Sequence, residues 1–220
     1  GEPDFDTPVH IADAGVAAIR AGHTRYTSVD GTNELKDAII GKFRRDNGLE
    51  YSRPQILVSS GAKQTVFNLC CALLDHGEEA IIPAPYWVSY PDMVMVADGT
   101  PVPVFAGADQ GYKITATQLD AAITPRTRLL ILNTPQNPTG GILDRENLDA
   151  IAEILRRHPQ VWVFADEIYS RLVYDGRFDS LATRPDMLER TIISDGASKT
   201  WAMTGWRIGY VANKALAPVF

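Results

Sequence analysis

Between Ser194 and Tyr210 the chain reads SDGASKTWAMTGWRIGY. Lys199 sits there between Ser198 and Thr200, followed by the apolar Trp201, Met203 and Trp206, and then by Arg207. A buried strand has no use for the lysine, and a solvated loop has none for the tryptophans. The mixture fits a pocket wall, where apolar cover surrounds a cation that stays reachable. Apolar neighbours and a nearby cation push a lysine pKa down, and the free amine can then attack a carbonyl to form a Schiff base. Arg207 offers a planar fork suited to phosphate. The plainer alternative for Lys199 is a solvated surface lysine.

Further clusters have a chemical reading and a plain one. SSGAKQ at 59–64 joins an apolar run to a helical pattern. The amides and dipole of a helix N-terminus bind phosphate there, or the turn is an ordinary cap. Its Ser60-Gly61-Ala62-Lys63 also fits the S-x-x-K pattern of serine acyltransferases, but Lys199-Thr200-Trp201 does not supply the K-T-G partner. PAPYWVSYP at 83–91 sets aromatics between prolines, either as core or as a flat surface for a heteroaromatic ring. NTPQNPTGG at 133–141 is a sharp turn in which Asn137 either faces a ligand or bonds its own backbone. Asp166 ends an apolar run, where a carboxylate stays ionised only beside a cation or strong donors. The alternative for it is a helix N-cap. Tyr169, three residues on, is spaced to share a helix face with it.

These clusters need elements to position them. Helical spacing marks HIADAGVAAIRAG, GTNELKDAIIGKFRRDNG, AKQTVFNLCCALL, ATQLDAAI and RENLDAIAEILRRH, with Gly22 and Gly48 as stops. Short apolar runs mark strands at QILVSSG, EAIIPAP, TPVPVF, TRLLILN, VWVFADEIY and RTIISDGASK. The alternation predicts an α/β fold, a three-layer α/β/α sandwich on a mainly parallel sheet. In such sheets ligands gather beyond the carboxyl ends of the strands, and the polar clusters fall at those ends.

Composition narrows the partners. The chain has 220 residues, 45% hydrophobic, with net charge −6, which argues against a non-specific nucleic-acid binder. Its cysteines, Cys70 and Cys71, are adjacent, so neither a disulfide nor a zinc framework is expected, and a reducing cytoplasm fits. No apolar run approaches the roughly 18 residues of a membrane span, and no metal site is expected. The opening GEPDFDTPVH and the close ALAPVF read as an excerpt of a longer protein.

Taken together, the clusters ask for a ligand with an aldehyde, an aromatic ring, a basic ring nitrogen and a phosphate, which describes pyridoxal 5′-phosphate. With GEPDFDTP, YTSVDGTNELKDAI, SSGAKQ, PAPYWVSYP, NTPQNPTG, ADEIYSRLVY and SKTWAMTGWRIGY in this order, the chain resembles class I aminotransferases of the aspartate aminotransferase family, fold type I. The wording is most similar to the bacterial subgroup, some members of which use prephenate.

The resemblance implies transamination between an amino acid, aspartate or glutamate first, and a 2-oxo acid. It implies that Lys199 carries the cofactor and shuttles protons, that Asp166 pairs with the ring nitrogen, and that Tyr169 and Asn137 bond the ring's phenolic oxygen. Trp87 stacks on the ring, and Gly61, Ala62, Lys63 and Arg207 surround the phosphate. Tyr26 reaches the phosphate of the other subunit in a homodimer with a shared site. Gly1 lies by the substrate carboxylate, with Trp87 and Asn137 also on the substrate side. Gly196 departs from relatives that carry a phosphate-binding serine there, and Ser198 need not replace it. Residues 1–10 would lead from an N-terminal arm, and 11–220 would form the cofactor-binding large domain. The small domain, with its arginine for the substrate α-carboxylate, would lie outside the chain. Aromatic or prephenate transamination, a carbon–sulfur lyase and the aminotransferase-like sensor domain of a transcription regulator share these cofactor residues and remain alternatives.

Overall fold

Asn133, Asp166 and Ser194 lie side by side on three neighbouring parallel strands. The computed structural model describes residues 1–215. Its strands are β1 (Ile56–Ser59), β2 (Glu79–Ala84), β3 (Thr100–Phe105), β4 (Thr127–Asn133), β5 (Trp162–Asp166), β6 (Thr191–Gly196) and β7 (Gly209–Ala212). They form one sheet in the order β1-β7-β6-β5-β4-β2-β3. Only β7 runs against its neighbours; the other pairs are parallel. Parallel neighbours need crossovers, and α3 (Ala62–Leu73), α4 (Ser89–Val96), α5 (Ala116–Ala122) and α6 (Arg145–Arg157) supply those from β1 to β5. Helices α1 (Val9–Arg20) and α2 (Asn33–Asn47) precede the sheet, and the single turn α7 (Ala197–Thr200) follows β6.

The period of two along each strand feeds two faces. On β5, Val163 joins Leu130, Leu148, Ile151 and Leu155 under α6. Phe164 turns the other way, to Val66, Tyr90 and Ile131 under α3 and α4. Ile193, paired with Ala165 in register, extends the α6 face to Ile39 and Phe43 of α2. The result is the expected three layers. Phe164 is fully buried, so its truncation to alanine would cost about 3–5 kcal/mol.

Local chemistry sets the helix ends. Thr32 Oγ1 accepts from the Leu35 amide at 3.3 Å, and α2 closes at Gly48. Asp144 accepts from the Asn147 amide at 2.9 Å to open α6, whose Leu148, Ile151, Ala152 and Leu155 form its buried stripe. Three expectations change. Strand β7 (Gly209–Ala212) begins inside SKTWAMTGWRIGY, where no strand was expected. Helix α4 starts inside PAPYWVSYP, whose prolines and aromatics obscured it; Pro91 sits in its first turn, where a missing N–H costs nothing. The residues after Asp166 form turns, so Asp166 caps no helix and shares no helix face with Tyr169. Helix α1 buries none of its own residues. Among the described residues no helix is long and apolar enough to cross a membrane.

Candidate active site

A cavity of about 540 Å³ opens at the carboxyl rim of the sheet, within the range typical of small-molecule sites. Gly1, Ala62, Lys63, Trp87, Asn137, Asp166, Tyr169, Lys199 and Arg207 all line it. Residues that are more than 190 positions apart in sequence meet there: Lys199 Nζ donates to the Gly1 carbonyl at 2.5 Å. The N-terminal segment is held over the 199–206 loop by Thr7, which bonds the Ala202 carbonyl at 2.6 Å and accepts from Trp206 Nε1 at 3.2 Å.

Lys199 lies in α7, a single turn after β6, with its side chain partly covered. Burial holds its ammonium below the ordinary lysine range; Glu2 pulls the other way and Arg207 adds to the fall. This is the setting of an amine that can be both nucleophile and proton carrier.

Asp166 ends β5 and is 8% exposed. Its Oδ2 accepts from the Tyr90 hydroxyl at 2.5 Å and its Oδ1 from the Ile168 amide at 3.3 Å. Burial pushes its carboxyl up to about 6, with Tyr90 and Ile168 opposing and Asp195 reinforcing the rise. A cationic ring N–H placed in the cavity would be the partner this carboxylate lacks.

Asn137 Nδ2 donates to Tyr169 Oη at 3.3 Å. Burial raises the Tyr169 phenol, as does Asp166, while Asn137 lowers it. Asn133 orients this pair: its Oδ1 accepts from the Asn137 amide at 2.7 Å, and its Nδ2 donates to the Asp166 carbonyl at 2.9 Å. Trp87 meets Tyr90 edge to face at 5.4 Å, and Lys63 Nζ lies 5.1 Å from the Trp87 ring centroid.

The phosphate end is shaped by absent side chains. Gly61 has φ +83 and lies against the Arg207 guanidinium, so a Cβ there would overlap it. Gly209 of β7 runs against the Gly61–Ala62 backbone, where a Cβ would also overlap. The two strands can therefore bring Arg207 to the start of α3. Arg207 is itself left-handed at φ 58, an uncommon state for a non-glycine residue, and its Nη1 donates to the Thr204 carbonyl at 2.9 Å. A Cβ on Gly196 would come within 2.8 Å of the Ile208 carbonyl, so no serine hydroxyl fits there, while Ser198 does line the cavity.

Tyr26 is fully exposed and stands outside the cavity. Gly61 shapes the cavity from behind Arg207 without lining it. Sequence reasoning missed Tyr90, Asn133, Glu2 and Thr204, which also line it. Tyr90 was visible as one of the aromatics in PAPYWVSYP, but nothing in the spacing aimed it at Asp166. The donor set fits pyridoxal 5′-phosphate: an amine for the aldehyde, a buried carboxylate for the ring nitrogen, and a glycine-lined arginine for the phosphate.

The aminotransferase class I and II family model matches residues 1–217, and the chain belongs to that family. It is 51% identical to an aspartate/prephenate aminotransferase of Nitrosomonas europaea over 217 residues, 98% of this chain and 55% of that protein. It is 54% identical to one from Cereibacter sphaeroides over 216 residues, 97% and 54% of the two chains. The crystal structure of the Rhizobium meliloti aspartate aminotransferase superposes with a TM-score of 0.97 at 48% identity, over 100% of this chain and 55% of that one. The chain thus spans about half the length of the relatives it matches.

Proposed function

We propose that the protein carrying this chain transfers amino groups between an amino acid, aspartate or glutamate first, and a 2-oxo acid, using pyridoxal 5′-phosphate. The observation that carries this reading is the convergence of Lys199 and Asp166 on one cavity, the amine with lowered proton affinity and the carboxylate without a cationic partner. When bound, the cofactor supplies an electron sink for bonds broken at the amino acid's α-carbon.

The chain's own residues do the rest. Lys199 Nζ would hold the aldehyde carbon and, once the substrate's amino group has displaced it, the freed amine would take the α-proton and return it. Asp166 holds a proton on the ring nitrogen through charge, oriented by Tyr90. Tyr169 and Asn137 donate to the phenolic oxygen, and Trp87 covers the ring face. Ala62, Lys63 and Arg207 hold the phosphate, with Gly61 giving the guanidinium room. Lys63, Lys199 and Arg207 outnumber the carboxylates Glu2 and Asp166 in the lining, which suits a phosphate and a carboxylated substrate together. Gly1 borders the substrate carboxylate beside Trp87 and Asn137. The exposed Tyr26 serves the phosphate of a second subunit in a homodimer. The unpaired Cys70 and Cys71 support a cytoplasmic setting. Residues 11–215 form the described part of the cofactor-binding domain, 1–10 lead into it from an arm, and the expected 216–220 lie outside the described residues.

Prephenate is a second acceptor, favoured by the names of both relatives quoted above. Screening the full-length protein against amino donors and 2-oxo acids, prephenate among them, tests both readings. Aspartate-dependent conversion of 2-oxoglutarate is expected; a protein that binds the cofactor and moves no amino group defeats the proposal.

A further inference from the structure

Behind Asp166, on the side of the sheet that faces α2, lie two more buried carboxylates, Glu167 and Asp195. Asp195 is well supplied. It takes the Lys42 ammonium of α2 at 3.0 Å, the Tyr210 hydroxyl at 3.0 Å and the Gly196 amide at 2.7 Å. Glu167 is not. It is 1% exposed, receives only the Ser180 hydroxyl at 2.5 Å on Oε1, and its Oε2 has no hydrogen-bond partner among the described residues. The cation nearest to this group is already spent on Asp195, and an isolated buried carboxylate takes up a proton rather than remain charged.

We propose that Glu167 is a positioning residue acting through Asp166: an uncharged carboxylic acid at neutral pH that spares the cofactor-facing carboxylate a second negative charge behind it. This rests on the reading of Asp166 as the ring-nitrogen partner. The groups facing Glu167 are Lys42 of α2, Tyr51 after it, Asp166 of β5, Ser180, Asp195 of β6 and Tyr210 of β7. Glu189 also acts on Tyr51, and Asp46 on Tyr210. Burial lifts the Glu167 carboxyl to about 8; Ser180 and Lys42 oppose the rise, and Asp195 and Asp166 add to it. Above that pH a new negative charge lies behind Asp166. It favours protonation of whatever base Asp166 holds, so the ring nitrogen keeps its proton to higher pH.

Difference infrared spectra of the full-length protein without cofactor, between pH 6.5 and 9.5, read the acid directly. A carboxylic acid band is expected to vanish with a midpoint near 8, separate from the fall of Asp166 near 6, and only this upper step should be absent from Glu167→Gln. With cofactor bound, wild type should show a visible-absorbance step at a lower midpoint, because a protonated ring favours ionised Glu167 in return, and Glu167→Gln should lack it. An acid band already missing at pH 6.5 overturns the proposal, and so does an identical absorbance step in both proteins. Should Glu167→Gln fail to fold, Ser180→Ala removes the hydroxyl donor that favours ionised Glu167. The infrared midpoint should then rise by about one to two pH units, whereas Ser180→Thr should leave it in place; an unmoved midpoint in Ser180→Ala defeats the idea. Because the infrared arm uses protein without cofactor, failure of the donor and acceptor screen would sink the transamination reading separately.

Discussion

The hydroxyl of Tyr90, on α4, donates to Asp166 Oδ2 at 2.5 Å from 76 positions away in sequence. The bond stabilises the ionised carboxylate in a site where burial disfavours it. Tyr90→Phe therefore raises the Asp166 pKa further. A hydrogen bond to a charged group is worth about 1.5–3 kcal/mol, or about one to two pH units. The acid limb of the pH profile of kcat/KM should move up by about that much, with little change well above it, near pH ~9.5. An unmoved acid limb would assign that limb to another group.

Asp166→Asn removes the charge and keeps the shape. A neighbouring opposite charge moves a pKa by about 1–3 units, so turnover should fall about 10- to 1000-fold if the rate follows ring protonation. Cofactor affinity, carried mainly at the phosphate end, should change far less. Equilibrium binding and steady-state kinetics on the same preparation separate the two effects, and near wild-type turnover would place the ring nitrogen's partner elsewhere.

Borohydride treatment of the cofactor-loaded protein should fix the pyridoxyl group to the peptide containing Lys199. Lys63 is the competing amine in the cavity, and label on it instead would reverse the assignment. Lys199→Ala should lose turnover by about 100- to 10,000-fold or more through its acid–base role alone.

Without cofactor, stability should fall as pH rises from about 5 to 8. Asp166 and Glu167 titrate near 6 and 8 in the folded chain, above their ordinary 3.8 and 4.5. In that window the folded state binds more protons than the unfolded one, so raising the pH favours unfolding. Each such group contributes a slope approaching about 1.4 kcal/mol per pH unit between its two pKa values. Urea melts at half-unit pH steps should show the decline, and Glu167→Gln should flatten its upper part. Stability rising over the same range would mean that both acids are ionised in the fold.

Gly209→Ala drives a methyl into the Gly61–Ala62 backbone. A loss of about 1–3 kcal/mol is expected from overpacking, together with weaker cofactor binding as the start of α3 moves off Arg207. Thermal melts and cofactor titration check the two separately; unchanged affinity would show that the phosphate turn tolerates displacement.

The residue types and their order were enough to set the layers and six of the seven strands, and to mark polar clusters that the fold gathers at one rim; β7, which follows directly on the tryptophan-rich loop, went unmarked. Helical and strand periods are local properties, and Thr32, Asp144 and Gly48 end their helices by contacts within a few residues. Lys199, Asp166, Asn137 and Arg207 stood out because polar groups at the ends of apolar runs have few structural uses. The sequence could not show which side chains support them, because those contacts cross the sheet. Tyr90 reaches Asp166 only because α4 packs over β5, and Asn133 reaches Asn137 and the Asp166 carbonyl only through the strand register. The turn after Asp166 was likewise decided by tertiary structure, since a helical spacing of Asp166 and Tyr169 yielded to packing beside Asn137. The same holds for Glu167: one place from Asp166 in the chain, it turns to the opposite side of the sheet, and its want of a partner follows from Lys42 meeting Asp195 instead.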